Sequence, residues 1–342
     1  MSGEPAACPR CATPVGSSDR FCESCGGPLF DAPPEPTLTR VAIPRSDPVE
    51  SACTECGNGT FSDGYCSECG HRRTAPDRDE ARLGEAVLVT DRGLLHQRNE
   101  DAAAAGTVTG LPGRQEALAV VVCDGVSTSG EPQVASAAAS KAGVEGMLTV
   151  LAAAGTTHAA VVAGLVEATR AATDAGAGLD PANAPSCTYT GAAVAPEAGG
   201  AVEITVGNVG DSRAYWLPDP PGLPQQLTVD DSVAQELMTA GAAPNSEFVL
   251  GGAHTITRWL GADSEAKPWS DSSVRTITVV EPGSLLLCSD GLWNYLPDAA
   301  DIARFCSGAE PTAAARALTA HALQSGGSDN ITVVVIPIGG SK

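Results

Sequence analysis

The chain has 342 residues, with 41 Asp and Glu against 20 Lys and Arg, and a formal net charge of −21. The excess of anions is spread over both parts, 7 Lys/Arg against 13 Asp/Glu in residues 1–80 and 13 against 28 in residues 81–342. It leaves no basic face for nucleic acid, whose binding draws mainly on counterions released by Lys and Arg. The longest apolar run, Leu118 to Cys123, is too short to span a bilayer, and no apolar leader-type segment follows Met1, so no membrane partner and a cytoplasmic setting are expected.

The first elements in chain order are built on cysteine. Eight of the 12 cysteines form four Cys-x-x-Cys pairs: Cys8/Cys11, Cys22/Cys25, Cys53/Cys56 and Cys66/Cys69. One such turn presents two thiolates to a tetrahedral ion and a short hairpin brings the second pair across, the spacing of two zinc ribbons with four thiolate ligands each. Glycines after Cys56 and Cys69 permit the tight backbone that turns amides toward sulfur. Disulfides or redox dithiols are the competing reading, and an unsecreted chain argues against both. The expected organisation is a ribbon at 1–30, an extended proline-rich linker at 31–50, a second ribbon at 51–71, a charged linker at 72–83 and a catalytic domain at 84–340. The ribbons are then tethered to the enzyme rather than built into its core, and each needs its ion to fold. A duplicated ribbon without basic charge suits a protein partner.

From residue 84 the periodicity is that of strands: Ala86–Thr90, Leu118–Cys123, Thr188–Val194, Val202–Gly207, Arg213–Leu217, Val274–Val280, Leu285–Cys288 and Ile331–Ile336. Helices are predicted at Val134–Ala154 and His158–Ala175, then near Ser232–Ala240, Ala299–Phe305 and Thr312–Gln324. Hairpin-paired strands with grouped helices indicate an α+β sandwich rather than a doubly wound sheet. Cys123, Cys187, Cys288 and Cys306 lie in or beside apolar segments and read as small buried hydrophobes, with a redox role for Cys123 or Cys288 as the alternative.

Acidic turns close several of these strands: Asn99-Glu100-Asp101, Cys123-Asp124-Gly125, Ser289-Asp290-Gly291 and Ser328-Asp329-Asn330. Carboxylates delivered to one rim repel one another, and hard divalent cations with oxygen-rich shells relieve that repulsion. The pattern therefore reads as a metal-dependent hydrolase. With Thr90-Asp91-Arg92-Gly93, Gly210-Asp211-Ser212-Arg213, Thr257-Arg258-Trp259-Leu260-Gly261 and Leu292-Trp293, the turns occur in the order and spacing of a known family. From about residue 84 to 338 the chain resembles the metal-dependent type 2C (PPM) serine/threonine protein phosphatases of bacterial type.

The resemblance implies two antiparallel sheets flanked by helices, with two Mn²⁺ or Mg²⁺ ions at one rim. Asp124 would bridge both ions and the Gly125 carbonyl would complete one shell. Asp290 and Asp329 would hold the first ion, and Glu100 would reach the second, partly through water. Asp211 with Asp290 would form a third-ion site, with Asp101 and Asn330 orienting ligands and waters from behind. A bridging hydroxide would attack the phosphorus directly. The implied function is hydrolysis of phosphoserine and phosphothreonine in cytoplasmic proteins, reversing a Ser/Thr kinase, with the ribbons as docking or regulatory module. The alternative is a catalytically weak phosphoprotein-binding scaffold. Two departures bear on the site. His96, with Arg98 two residues on, stands where the family has a phosphate-gripping arginine, whose permanent bidentate charge histidine does not reproduce. Val126-Ser127-Thr128-Ser129-Gly130 replaces the family's glycines and histidine after Asp-Gly, leaving the proton donor unassigned with His96 as the candidate.

Overall fold

The computed structural model describes residues 7–339 apart from 9, 17–18, 28, 30–35, 46–51, 54, 63–64, 71–77 and 112–114. The longer strands, in chain order, are β1 (Thr37–Ile43), β2 (Arg78–Leu83), β3 (Ala86–Asp91), β4 (Ala102–Thr109), β5 (Ala117–Cys123), β6 (Tyr189–Pro196), β7 (Val202–Val209), β8 (Arg213–Pro218), β9 (Val274–Val279), β10 (Gly283–Cys288) and β11 (Ile331–Ile338). The helices are α1 (Pro132–Ala152), α2 (Thr157–Ala175), α3 (Val233–Thr239), α4 (Glu247–Gly251), α5 (Ala299–Cys306) and α6 (Pro311–Gln324), with a single helical turn at Asp290–Trp293.

Two six-stranded sheets form, both antiparallel. One runs β1-β4-β5-β6-β7-β9, and the other runs from the short strand Gln225–Gln226 through β8-β10-β11-β3 to β2. The period of two along each strand sorts its side chains between layers. In β5, Val120 and Val122 enter the core between the sheets, while Ala119, Val121 and Cys123 face α1 and α2. In β11, Val334 and Ile336 point into the same inter-sheet core, and Val333 and Val335 meet α5 and α6. Four layers result, helix, sheet, sheet and helix. Strands buried on both faces read as unbroken apolar runs, and each fully buried Val, Leu or Ile contributes about 1.5–3 kcal/mol. Cys123, Cys187, Cys288 and Cys306 are buried in these layers, as the hydrophobe reading expects.

Three of the longer strands escaped the sequence reading. β4 is Ala-Ala-Ala-Ala-Gly-Thr-Val-Thr, poor in β-formers, and its small side chains are a packing requirement: a Cβ on Gly106 would lie 2.6 Å from Leu148 of α1. The expected linkers at 31–50 and 72–83 contain the other two. β1 pairs with β4 from Thr37↔Thr109 to Ile43↔Ala103, and β2 pairs with β3 from Arg78↔Asp91 to Leu83↔Ala86. Prolines bracket β1 without entering it, and the charges of β2 suit an edge strand, so both read as linker. The backbone N–H and guanidinium of Arg45, after β1, donate to Asp79 on β2, the backbone contact at 2.7 Å. Burial works against the Asp79 carboxylate, but Arg45 holds its pKa below the ordinary value. Arg316 of α6 pairs with Glu80 at 2.6 Å. The second ribbon therefore hangs between two edge strands of the sandwich, which corrects the picture of a simple tether.

Candidate metal centre

In each cysteine turn the backbone carbonyl of the first cysteine accepts an N–H four residues on: Ala12, Gly26, Gly57 and Gly70, at 2.8–2.9 Å. All four of these N–H donors have positive φ, glycine at three of them and Ala12 at 57°. The eight thiols form two tetrads, Cys8/Cys11/Cys22/Cys25 and Cys53/Cys56/Cys66/Cys69, each with all sulfurs within 4.8 Å of one another. Cross-pair separations are 3.5–3.7 Å. A tetrahedral ion with Zn–S bonds of about 2.3 Å places its sulfurs about 3.8 Å apart, so both tetrads fit zinc. Thr13 hydrogen bonding lowers the Cys11 thiol to about 6, whereas Cys25, despite a Gly27 backbone contact that lowers it, is raised to about 11 by its neighbour Cys11.

The carboxylates gather at one rim of the sandwich because the strands end there together. Asp124 and Gly125 follow β5, Asp211 lies in the turn from β7 to β8, Asp290 follows β10, and Asp329 precedes β11. Glycines let these turns interlock. A Cβ on Gly93 would come within 2.1 Å of the Asp329 carbonyl, and one on Gly291 within 2.0 Å of the Asn330 carbonyl. Asn330 ties three segments: its side-chain oxygen accepts the Glu100 N–H at 2.7 Å, and its amide donates to the carbonyls of Arg92 and Arg98 at 2.7 and 3.1 Å. The Asp124 N–H donates to Thr188 Oγ1 at 3.1 Å, and Thr188 shares a hydrogen bond with Ser212 at 2.9 Å.

Asp124, Asp211, Asp290 and Asp329 line one cleft of about 660 Å³. Burial, reinforced by repulsion from Asp101, Asp290, Asp329 and Asp211, pushes the Asp124 carboxyl well above its ordinary pKa. Burial and then Asp290 raise Asp211 to about 8, and burial and then Asp329 raise Asp290 to about 6. Asp101, behind the cleft, is raised to about 7, chiefly by burial, although Ser289 donates to it at 2.7 Å. Buried Asp290 Oδ1 and Asp101 Oδ1 have no hydrogen-bond partner among the described residues. Acids raised by burial and mutual repulsion, with acceptor oxygens left over, are a donor set for hard cations. These oxygens are spread more widely than the thiol tetrads, as suits ions that keep waters in their shells.

Other expected residues are placed differently. Glu100 is buried beside the cleft, with Arg98 Nε donating to one oxygen at 2.9 Å and Ser127 to the other at 2.8 Å. Arg98 also lies 3.6 Å from Glu131. His96 Nε2 is 3.2 Å from Asp329 Oδ1, at the rim. Sequence reasoning missed Asn294, which donates to Asp290 at 3.2 Å, and passed over His254, which lines the cleft. The signal for His254 was its place three residues before the Thr257–Gly261 motif.

A family model for protein phosphatase 2C matches residues 96–324, well over half of the chain. The chain belongs to the protein phosphatase 2C family. That family is one of metal-dependent hydrolases. Among curated relatives, the serine/threonine phosphatase stp of Listeria innocua is 32% identical over 139 residues, 39% of this chain and 51% of that protein. The probable protein phosphatase 2C 76 of Arabidopsis thaliana is 32% identical over 146 residues, 39% of this chain and 33% of that protein. The chain spans about half the length of the first of these, or less. In fold it is similar to the PPM Ser-Thr phosphatase MsPP of Mycobacterium smegmatis, solved with cacodylate: TM-score 0.55, 28% identity, 75% of this chain and 99% of that one. Stp1 of Staphylococcus aureus shares the fold, with TM-score 0.54, 23% identity and coverage of 76% and 96%. The 2C fold expected from the resemblance is thus the fold observed.

Proposed function

We propose that this member of the 2C family hydrolyses phosphoserine and phosphothreonine in cytoplasmic proteins phosphorylated by a Ser/Thr kinase. The observation that carries this reading is the convergence of Asp124, Asp211, Asp290 and Asp329 on one cleft, three of them with raised carboxyl pKa values. Asp124, the Gly125 carbonyl, Asp290 and Asp329 would hold two Mn²⁺ or Mg²⁺ ions, with a third position at Asp211 and Asp290. Bound there, such ions neutralise the phosphate and make a hydrolytic water acidic enough to attack near neutral pH. Asp101 and Asn330 act from behind the ligands, accepting from Ser289 and fixing the backbone of Glu100. Glu100 would serve the second ion partly through water, a role that fits its two oxygens each already accepting from a protein donor, Arg98 and Ser127.

His96 and Arg98 are the two phosphate-binding candidates, the His96 ring at the rim beside Asp329 and Arg98 engaged by Glu100 and Glu131. The cysteine tetrads would each hold a structural Zn²⁺ and offer a docking or regulatory surface to a protein partner. The retained acidic cluster weighs against a non-catalytic scaffold. Assay of p-nitrophenyl phosphate and a phosphothreonine peptide with Mn²⁺, Mg²⁺ or EDTA tests the reading. Turnover is expected with either ion and none in excess EDTA, and undiminished turnover in EDTA would exclude the mechanism.

A further inference from the structure

Hydrolysis of a phosphoserine or phosphothreonine ester expels an alkoxide, a poor leaving group unless it is protonated as the P–O bond breaks. The loop after Asp124-Gly125 offers only the hydroxyls of Ser127, Thr128 and Ser129 to the cleft, and hydroxyls hold their protons too tightly for that task. The Ser127 proton is also committed, donated to Glu100 at 2.8 Å. His96 faces Asp329 at 3.2 Å. Asp101 holds its proton near neutrality but is enclosed behind the cleft, only 1% exposed.

His254 differs from all of these. It lines the same cleft as Asp124, Asp211 and Asp290, and it is exposed there. Neither ring nitrogen is hydrogen-bonded to another described residue, so both are available to a bound ester. The ring is nevertheless held. It stacks on Trp293 with centroids 6.0 Å apart and planes 10° from parallel. Trp293 is pinned in turn, its indole N–H donating to the Asp211 carbonyl at 2.8 Å and the Arg213 guanidinium lying 3.7 Å from the ring centroid. The backbone beside His254 is anchored by the Val233 N–H donating to the Thr255 carbonyl at 2.9 Å and by a bridge between Ser232 and Ile256. A ring fixed in orientation, with free nitrogens beside a carboxylate cluster in an open cleft, has the properties required of a general acid.

We propose that His254 is the proton donor to the departing serine or threonine oxygen, an inference that rests on the phosphatase reading of this cleft. Water adds its oxygen to phosphorus, the bond from phosphorus to the side-chain oxygen breaks, and the imidazolium proton passes to that oxygen. The proton shed by the water leaves to solvent, and the neutral imidazole takes one back, so phosphate ester plus water gives alcohol plus phosphate. The charged groups facing His254 are Asp124, Asp211, Asp290, Asp329 and Asp263 around the cleft, Arg213 behind Trp293, and the Asp231–Arg258 pair beside its own segment.

The test compares leaving groups on the full chain at saturating Mn²⁺. Phenyl phosphate and a phosphothreonine peptide need a proton donor, whereas nitrophenolate departs from p-nitrophenyl phosphate with little help. His254→Ala should lower kcat for the first two by about 100-fold or more, within the usual range for general acids, and for p-nitrophenyl phosphate by no more than about threefold. The alkaline fall of kcat on the peptide, which reports loss of the donor proton, should be missing in the variant. His254→Arg keeps a positive charge but cannot release a proton near neutrality, so it should not rescue the peptide reaction. Equal losses on all three esters, no loss on any, or rescue by arginine would each overturn the role of His254 while leaving the phosphatase reading intact. Absence of Mn²⁺-dependent turnover by the unaltered chain would remove both.

Discussion

The cysteine tetrads and the carboxylate cleft both gather side chains that could hold metal ions, yet they are assembled in opposite ways. Each tetrad is local: its four ligands fall within about twenty residues, and among the described residues its buried apolar company is small, Cys8, Cys22 and Leu29 in the first ribbon. The cleft draws on turns from Glu100 to Asp329, and three packed layers of core place them. A ribbon holding zinc would derive its order from its ion, whereas the cleft is ordered beforehand and holds its acids together against their repulsion. Losing an ion should unfold the first and leave the second standing.

The largest effect that could break this contrast is at the cleft. Asp124→Asn removes one ligand charge with little change of shape, and kcat with Mn²⁺ should fall by about 1,000-fold or more, about 4 kcal/mol of barrier. Circular dichroism and the melting temperature should show the sandwich intact. A near-normal rate would mean that the aspartate turns are not the metal ligands.

Next in size is removal of the edge strands. A chain beginning at Gly84 lacks β1 and β2, exposing the edges of β4 and β3. It should melt well below the full chain and self-associate on gel filtration, because unpaired apolar strands template pairing with other chains. Cys53→Ser with Cys56→Ser, which spoils the second ribbon but keeps both strands, should remain monodisperse in its catalytic part. If the two proteins behave alike, the ribbon rather than the strands supports the sandwich.

Elemental analysis sharpens the other side of the contrast. The full chain should carry two zinc ions, and Cys22→Ser should carry one. Unchanged zinc in Cys22→Ser would remove the first tetrad as a site.

The smallest expected effect is a slope. Folding raises Asp101 from 3.8 to about 7, Asp211 from 3.8 to about 8 and Asp290 from 3.8 to about 6. The metal-free folded state therefore binds more protons than the unfolded chain between about pH 4 and 8, so its stability should fall as pH rises through that window. Urea titrations in EDTA at successive pH values would show it, and Mn²⁺ should flatten the fall. A metal-free protein that gains stability from pH 5 to 8 would contradict the description of the acids as mutually strained.

The contrast also explains what could be read from the chain. Cys-x-x-Cys pairs are legible because ligand and turn lie within five residues. Asp124 and Asp290 are legible because each follows an apolar run, Leu118–Cys123 and Leu285–Cys288, that could only be a buried strand. β4 was not, since alanine has little strand preference and its use reflects α1 crossing at Gly106. β1 and β2 were hidden by prolines and charges that suit an edge as well as a linker. The pairing of Arg98 with Glu100, and the sharing of one cleft by His254 and Asp290, depend on how distant turns pack, and no local pattern carries that.

The pairing of β1 with β4 also sets an order of events at the ribosome. Fifty-eight residues, 44–101, separate the two strands, so at about 5–20 residues per second β1 waits on the order of several seconds for its partner to be made. Cys53 to Cys69 emerge within that interval. If the tetrad takes zinc, the second ribbon would capture its ion and close while the strand before it is still single, so the metal supply would act on this chain before the sandwich has begun to fold.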